Sequence, residues 1–255
     1  MSPLAALTVN GFREARRNRV TTVVYVFALV LIFSSTVALD MTVATFQRVM
    51  VDLGLGAMTL ICAFLGIYLG SGLIPREIDR RTIFMVLARP LGRTTFIVGR
   101  YLGNLLTITV VHLVMAALLI GQFLVADLKL EPGLFAGMLG VLLQAMVISA
   151  VAFAFAATSS QFITATATVS LYSLGHLTPD LYGMADRSKV VFVQWVGKGL
   201  YYVLPNLDRL NFSGRATYND PVGAGEVASA VVYAVGYSVV LLVVAGLLFQ
   251  RRDFK

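Results

Sequence analysis

Six charge-free apolar runs, at residues 20–39, 53–74, 101–126, 133–158, 161–178 and 227–249, decide what this chain can fold into. A helix needs about 20 apolar residues to cross roughly 30 Å of hydrocarbon. Five of the six runs meet that length; 161–178 is shorter and rich in Thr and Ser. Backbone N–H and C=O groups inside a bilayer must find partners within the protein, so only helices or a closed barrel can cross it. These runs lack the alternation of barrel strands. The expected fold is all-α: a polytopic membrane protein with six transmembrane helices. Bulk composition agrees, because 58% of residues are hydrophobic and 13% charged, against about 25% charged in a soluble domain.

The first run is not a cleavable signal peptide. Arg13, Arg16, Arg17 and Arg19 precede it, but it is long, lacks a small-residue cleavage site and is followed by five more. No long internal repeat supports an inverted-repeat transporter.

Basic residues sort to one side. The N-terminal segment, the loop after the second run (Arg76, Arg80, Arg81, Arg89, Arg93, Arg100) and the C-terminus (Arg251, Arg252, Lys255) hold thirteen Lys and Arg. The opposite side holds seven, five of them in the long loop between the last two runs. The positive-inside bias places both termini in the cytoplasm. The net charge of +7 is accounted for by this distribution, and nucleic acid is not needed to explain it.

Three segments between the spans carry their own pattern. Residues 1–19 put Leu4, Leu7, Phe12 and Ala15 near one helical face, with arginines toward the end. That suits an interfacial helix at the cytoplasmic surface, the alternative being a plain positive anchor. The cytoplasmic loop 75–100, PREIDRRTIFMVLARPLGRTTFIVGR, mixes charge with Ile78, Ile83, Phe84, Val86 and Leu87 and turns at Pro90-Leu91-Gly92. A solvated connector has no use for that apolar set, so the loop reads as a short helix and turn offered to a cytoplasmic partner. Glu77, Arg80, Arg81 and Arg89 are placed to steer a charged surface. The outer loop, 179–225, has an apolar, aromatic middle at 189–205, interrupted by Lys189 and Lys198. It reads as an interfacial or re-entrant helix, because a seventh crossing would carry Arg251 and Arg252 outside. Residues 206–225 read as a polar, turn-rich loop.

Catalytic and metal-binding patterns are missing. There is no GxxxxGK[ST] phosphate loop, no HExxH and no Cys/His cluster, and the single cysteine, Cys62, lies in an apolar run. No metal site and no cofactor bound by this chain are expected. His112, Gln144 and His176 are candidate pathway residues, since polar side chains inside membranes are functional by default. Each of them, like Gln122, can equally hydrogen-bond a neighbouring helix. The nine methionines form no Met-x-x-Met cluster and read as filler. Gly66 with Gly70, Gly99 with Gly103, and Gly133 with Gly137 have the spacing that lets helices approach closely.

Taken in order, these pieces resemble a known family. The opening ALTVNGFREARRNRV, the loop PREIDRRTIFMVLARPLGRTTFIVGRYLG, the outer YYVLPNLDRLNF and the terminal FQRRDFK are similar to type-two ATP-binding-cassette (ABC) exporter permeases. The branch closest in flavour includes the nitrous-oxide-reductase maturation permease. The resemblance implies a single permease domain spanning 1–255, with 1–19 as connecting helix. It places Glu77, Arg81, Thr82, Leu87, Arg89, Pro90 and Arg93 in a coupling segment docked on a separate ATPase subunit; Arg80 and Phe84 lie in the same segment. It further implies two permeases (a second copy or a paralogue), two ATPases carrying ATP and Mg, export or force transmission across a bacterial inner membrane, and room for an extracytoplasmic accessory protein. The permease itself would not be an enzyme. Two other readings stay open: a membrane scaffold or assembly subunit without transport, and an integral-membrane lipid-modifying enzyme. The latter needs ionisable residues clustered at one interface, which only the arginine loop approaches. Substrate identity is not carried by any portable motif.

Overall fold

The computed structural model describes residues 8–9, 20–37, 42–79, 92–188 and 190–250, which form helices and turns without a strand. In chain order the helices are α1 (Val20–Val37), α2 (Val43–Asp79), α3 (Arg93–Val125), α4 (Pro132–Ala156), α5 (Gln161–His176), α6 (Thr178–Arg187), α7 (Val191–Val203), α8 (Ser213–Tyr218) and α9 (Ala224–Gln250), with a 3₁₀ turn at Asp208–Leu210 before α8.

Four helices are long and apolar enough to cross a membrane: Thr45–Arg76 within α2, Thr94–Val125, Pro132–Ala156 and Ala224–Gln250. The other two expected spans are shorter as described. In α1 the apolar stretch is Thr22–Ser34. Helix α5 has 16 residues, about 24 Å at 1.5 Å per residue, against a hydrocarbon core of about 30 Å.

Side-chain contacts fix the helix directions. Ser34 of α1 donates to Met50 Sδ near the start of α2 at 3.3 Å, so the two meet at one end. Gln122, late in α3, donates to the Leu31 carbonyl of α1 at 2.9 Å, at that same end. Phe96, early in α3, stacks on Phe249, late in α9, with centroids 6.0 Å apart. Helices α2 and α4 run parallel, because Gly66 meets Ala145 and Ser149 while Gly70 meets Ser149, Ala152 and Phe153. The chain thus passes back and forth, with 179–223 at the end opposite to the loop that joins α2 to α3.

Helix α4 is the hub, buried along most of its length. Its closest neighbour is α2, and the approach is set by glycine: a Cβ on Gly70 would lie 2.7 Å from the Ala152 Cβ. Hydrophobic burial offers little between helices in lipid, so such close backbone packing and interhelical hydrogen bonds hold the seam. One such bond is Asn104 Nδ2 of α3 to Ser149 Oγ of α4, 2.7 Å and buried.

The helix ends follow local chemistry. Pro132 opens α4, where its missing N–H is not needed. Helix α3 stops on Asp127 at φ 52. Leu128 N–H then reaches the Phe123 carbonyl at 2.9 Å and Asp127 N–H the Leu124 carbonyl at 3.4 Å. This is a Schellman closure, with Leu128 buried in the same apolar cluster as Phe123. Asn219, at φ 56, ends α8 in the same way.

Candidate functional site at the two ends of the bundle

The loop expected at 75–100 is shorter than its sequence pattern indicates. Helix α2 continues through Pro75 to Asp79, and α3 already begins at Arg93. Pro75 withdraws the N–H that would bond Ser71 O, a loss one helical turn tolerates when flanking residues pack; Leu73 and Ile74 are buried beside Phe96 and Ile97. Glu77 therefore sits in the last turn of α2 and Arg93 opens α3. Their side chains lie outside the described residues, as do Arg80, Arg81, Thr82, Phe84, Leu87, Arg89 and Pro90 entirely.

Around the two flanks of this loop several elements meet. Arg76 Nε donates to Gln161 Oε1 at the start of α5 (3.2 Å), and its guanidinium lies 5.2 Å over the Tyr68 ring. The Arg100 guanidinium lies 5.9 Å over Phe96. Thr8 Oγ1 donates to the Gly99 carbonyl at 3.5 Å, which sets Thr8 against α3. Gly246 of α9 faces Thr94, where a Cβ would come within 2.9 Å of Thr94 Cγ2. The basic end of the bundle is thus where Thr8, the loop flanks, α5 and the end of α9 converge.

The three membrane-embedded candidates do not form one site, and no hydrogen bond or ring contact among the described residues joins them. His112 is buried in α3, and its Nδ1 has no partner among the described residues. His176 Nδ1 pairs with the Tyr172 carbonyl of its own helix at 3.0 Å, with the two rings edge-on at 4.6 Å. Gln144 Nε2 donates to the Leu210 carbonyl at 3.3 Å, a partner in the outer segment and not on a span. Of His112, Gln122, Gln144 and His176, Gln122 alone has a hydrogen bond among the described residues to another of the helices expected to span, at the Leu31 carbonyl of α1.

At the opposite end the expectation of a polar, turn-rich loop at 206–225 needs correcting. Leu207, Leu210, Phe212 and Ala216 are buried, and α8 packs on α2 and α4. The segment fits because glycines stand opposite its backbone. Gly140 faces the Leu210 carbonyl so closely that no Cβ has room, and a Cβ on Gly175 would lie 2.7 Å from the Pro205 carbonyl oxygen. Six further ties hold it. Leu207 N–H donates to the Gly175 carbonyl at 3.0 Å and Asn206 N–H to Tyr233 Oη at 2.8 Å. Tyr237 Oη donates to the Val203 carbonyl at 2.9 Å, and the Arg209 guanidinium lies 5.4 Å over Tyr233. Arg215 pairs with Glu226 and with the Pro221 carbonyl, fastening α8 to the start of α9. The pair Gly133 and Gly137 also serves this outer segment, since both face Ala216 of α8. Sequence spacing marks Gly133, Gly137 and Gln144, but not Gly140 or Gly175. The signal available for those two is only a glycine inside an otherwise strong apolar run.

A family model described as ABC-2 family transporter protein matches residues 5–178, from the N-terminal segment to the start of α6. The chain belongs to the ABC-2 transporter family. ABC-2 proteins are the membrane permease components of ABC transporters; they work with an ABC ATPase subunit and often as dimers. With its apolar crossing helices, this ABC-2 chain is a multi-pass membrane protein. No curated protein matches it.

Proposed function

We propose that this ABC-2 permease is driven by a separate ATPase that docks on residues 75–100, and that it exports its substrate or transmits force outward. In this reading it belongs to the branch that includes the nitrous-oxide-reductase maturation permease. The observation that carries the proposal is the convergence at the basic end. The two flanks of 75–100 are helix ends, and the contacts Thr8–Gly99, Arg76–Gln161 and Phe96–Phe249 join them to Thr8, α5 and α9. A push on that loop would be passed to all three at once. The chain needs no catalytic residue for this, only two packing states whose balance the ATPase shifts.

The same reading places both termini in the cytoplasm of a bacterial cell and pairs the permease with a second copy or a paralogue. The outward face of α5 supports such a pair. Thr166, Ser170 and Ser173 are exposed there among exposed Phe162, Ile163, Val169 and Leu174, a mixed surface, whereas the exposed side chains of α1 and α9 within the membrane are chiefly apolar. His112, Gln144 and His176 are candidates for pathway or packing roles. ATP and Mg would be held by two ATPase subunits, and an extracytoplasmic accessory protein can be accommodated.

The test is to disable the loop without touching the spans. Glu77→Arg, and joint Phe84→Asp and Leu87→Asp, are expected to leave membrane insertion intact while the ATPase subunit no longer co-purifies. Burial of one large apolar side chain contributes roughly 1.5–3 kcal/mol. Loss of two should weaken assembly more than about tenfold, even though association energies do not add. Wild-type assembly and stimulated turnover in both variants would leave the loop an ordinary connector. A scaffold role would instead show intact assembly with no substrate movement in proteoliposomes.

A further inference from the structure

We infer that Arg76 and the exposed face of α2 behind it form a binding site for an acidic phospholipid of the leaflet at the basic end of the bundle. The inference does not rest on the coupling proposal, because it concerns the permease and lipid alone.

Arg76 is the last residue of the crossing stretch Thr45–Arg76. An arginine at such a place ordinarily extends its guanidinium outward to water. Arg76 does the opposite. Its side chain turns back along α2, so that the guanidinium lies against Gly72, one turn deeper, and 5.2 Å over the ring of Tyr68, a turn deeper again. A Cβ on Gly72 would be 2.8 Å from Cζ and from Nη2, so glycine at that position keeps the seat open. Gln161 Oε1, at the start of α5, accepts from Nε at 3.2 Å and fixes the plane of the group.

These contacts occupy one face and one edge of the guanidinium. Nη1 and Nη2 meet no acceptor among the described residues, no carboxylate there pairs with Arg76, and the side chain is only half-buried. A charged fork held back from water with its outer nitrogens unpaired is matched by an oxyanion, and its geometry suits two phosphate oxygens at once.

The surface beyond the fork is apolar. Tyr68 and Phe64 stack at 5.9 Å with their rings 8° from parallel, and Leu60 continues the stripe at the i, i+4 spacing of one helical face. Phe64 is 59% exposed and Leu60 66%. From Gly72 to Leu60 the stripe runs about 18 Å at 1.5 Å per residue, against about 15 Å for half of the hydrocarbon core. A charged seat with an apolar trail one leaflet long fits the phosphate and acyl chain of a lipid, whereas a free phosphate ion would use the seat alone. The headgroup is acidic, because the ammonium of phosphatidylcholine would meet the guanidinium.

The test is native mass spectrometry of the full-length chain in detergent, titrated with phosphatidylglycerol or with phosphatidylcholine. The wild type is expected to retain phosphatidylglycerol and to hold phosphatidylcholine at least about fivefold more weakly. Arg76→Gln should abolish that preference, and Arg76→Lys, which keeps the charge without the fork, should restore it in part. Gly72→Ala is the sharper variant. Its methyl group displaces only the flexible end of Arg76, so the fold and the net charge are kept while the seat is lost, and phosphatidylglycerol should be released. Equal retention of the two lipids by the wild type overturns the inference. So does wild-type retention in either Gly72→Ala or Arg76→Gln; if Arg76→Gln then also splits a dimer, the face belongs to a second copy of the chain. Displacement of the lipid by inorganic phosphate at equal concentration would mean a site for a free anion, and overturns it as well.

Discussion

Gly140→Ala should unfold the outer end of this bundle, while the same substitution at Gly236 should not. At Gly140 a methyl group has no room beside the Leu210 carbonyl, and Phe212 Cδ2 would be 3.0 Å away. The 3₁₀ turn must move, and the Gln144–Leu210 hydrogen bond of 3.3 Å goes with it. Overpacking of this kind costs roughly 1–3 kcal/mol and a lost buried hydrogen bond about 1 more. At about 2–4 °C per kcal/mol for a chain of this size, the melting temperature should fall by about 5–15 °C. Gly236, on the exposed side of α9, has nothing within 4 Å of the place a methyl group would take. Replacing a glycine in a helix interior by alanine stabilises by roughly 0.5–1 kcal/mol, so Gly236→Ala should melt at or slightly above the parent. The assay is thermal loss of the monodisperse peak in detergent size-exclusion chromatography. Equal melting temperatures for the two variants would refute the claim that glycine at 140 exists to seat the Leu210 carbonyl.

Two shorter expectations accompany it. In a Cys62→Ala background, an impermeant maleimide applied to intact spheroplasts should label Asp220→Cys and spare Ser2→Cys and Lys255→Cys; the reverse pattern overturns the orientation argued from the thirteen-to-seven split of basic residues. The purified chain alone should hydrolyse no ATP, because it has no glycine-rich loop with its lysine to cradle phosphates; turnover that survives removal of every partner would refute the division of labour.

The parts of this fold that can be read from sequence are those decided by one segment at a time. Run length alone locates the crossings in α2, α3, α4 and α9, because hydrocarbon thickness sets a threshold that each run meets or fails independently. The Gly66–Gly70 seam is legible for the same reason: its spacing is local, even though its partners, Ala145, Ser149 and Ala152, are not. What escapes needs two distant segments at once. Residues 206–218 look solvated because Asn206, Asp208, Arg209 and Asn211 alternate with Leu207, Leu210 and Phe212. The glycines at 140 and 175 make the cradle for Leu207, Leu210 and Phe212, as Gly133 and Gly137 do for Ala216, and nothing near 206 announces them. The boundary of the 75–100 loop fails differently. Pro75 reads as a stop, but Leu73 and Ile74 are gripped by Phe96 and Ile97, and tertiary packing carries the helix through it. His176 shows the same limit on a single side chain: its Nδ1 is satisfied by Tyr172 one turn back, so its polarity demands no partner from another helix. A polar residue in an apolar run therefore marks a hydrogen bond to be satisfied, and whether that bond closes within a turn, as at His176, or reaches across the fold, as at Gln144, is decided by packing that only the assembled bundle contains.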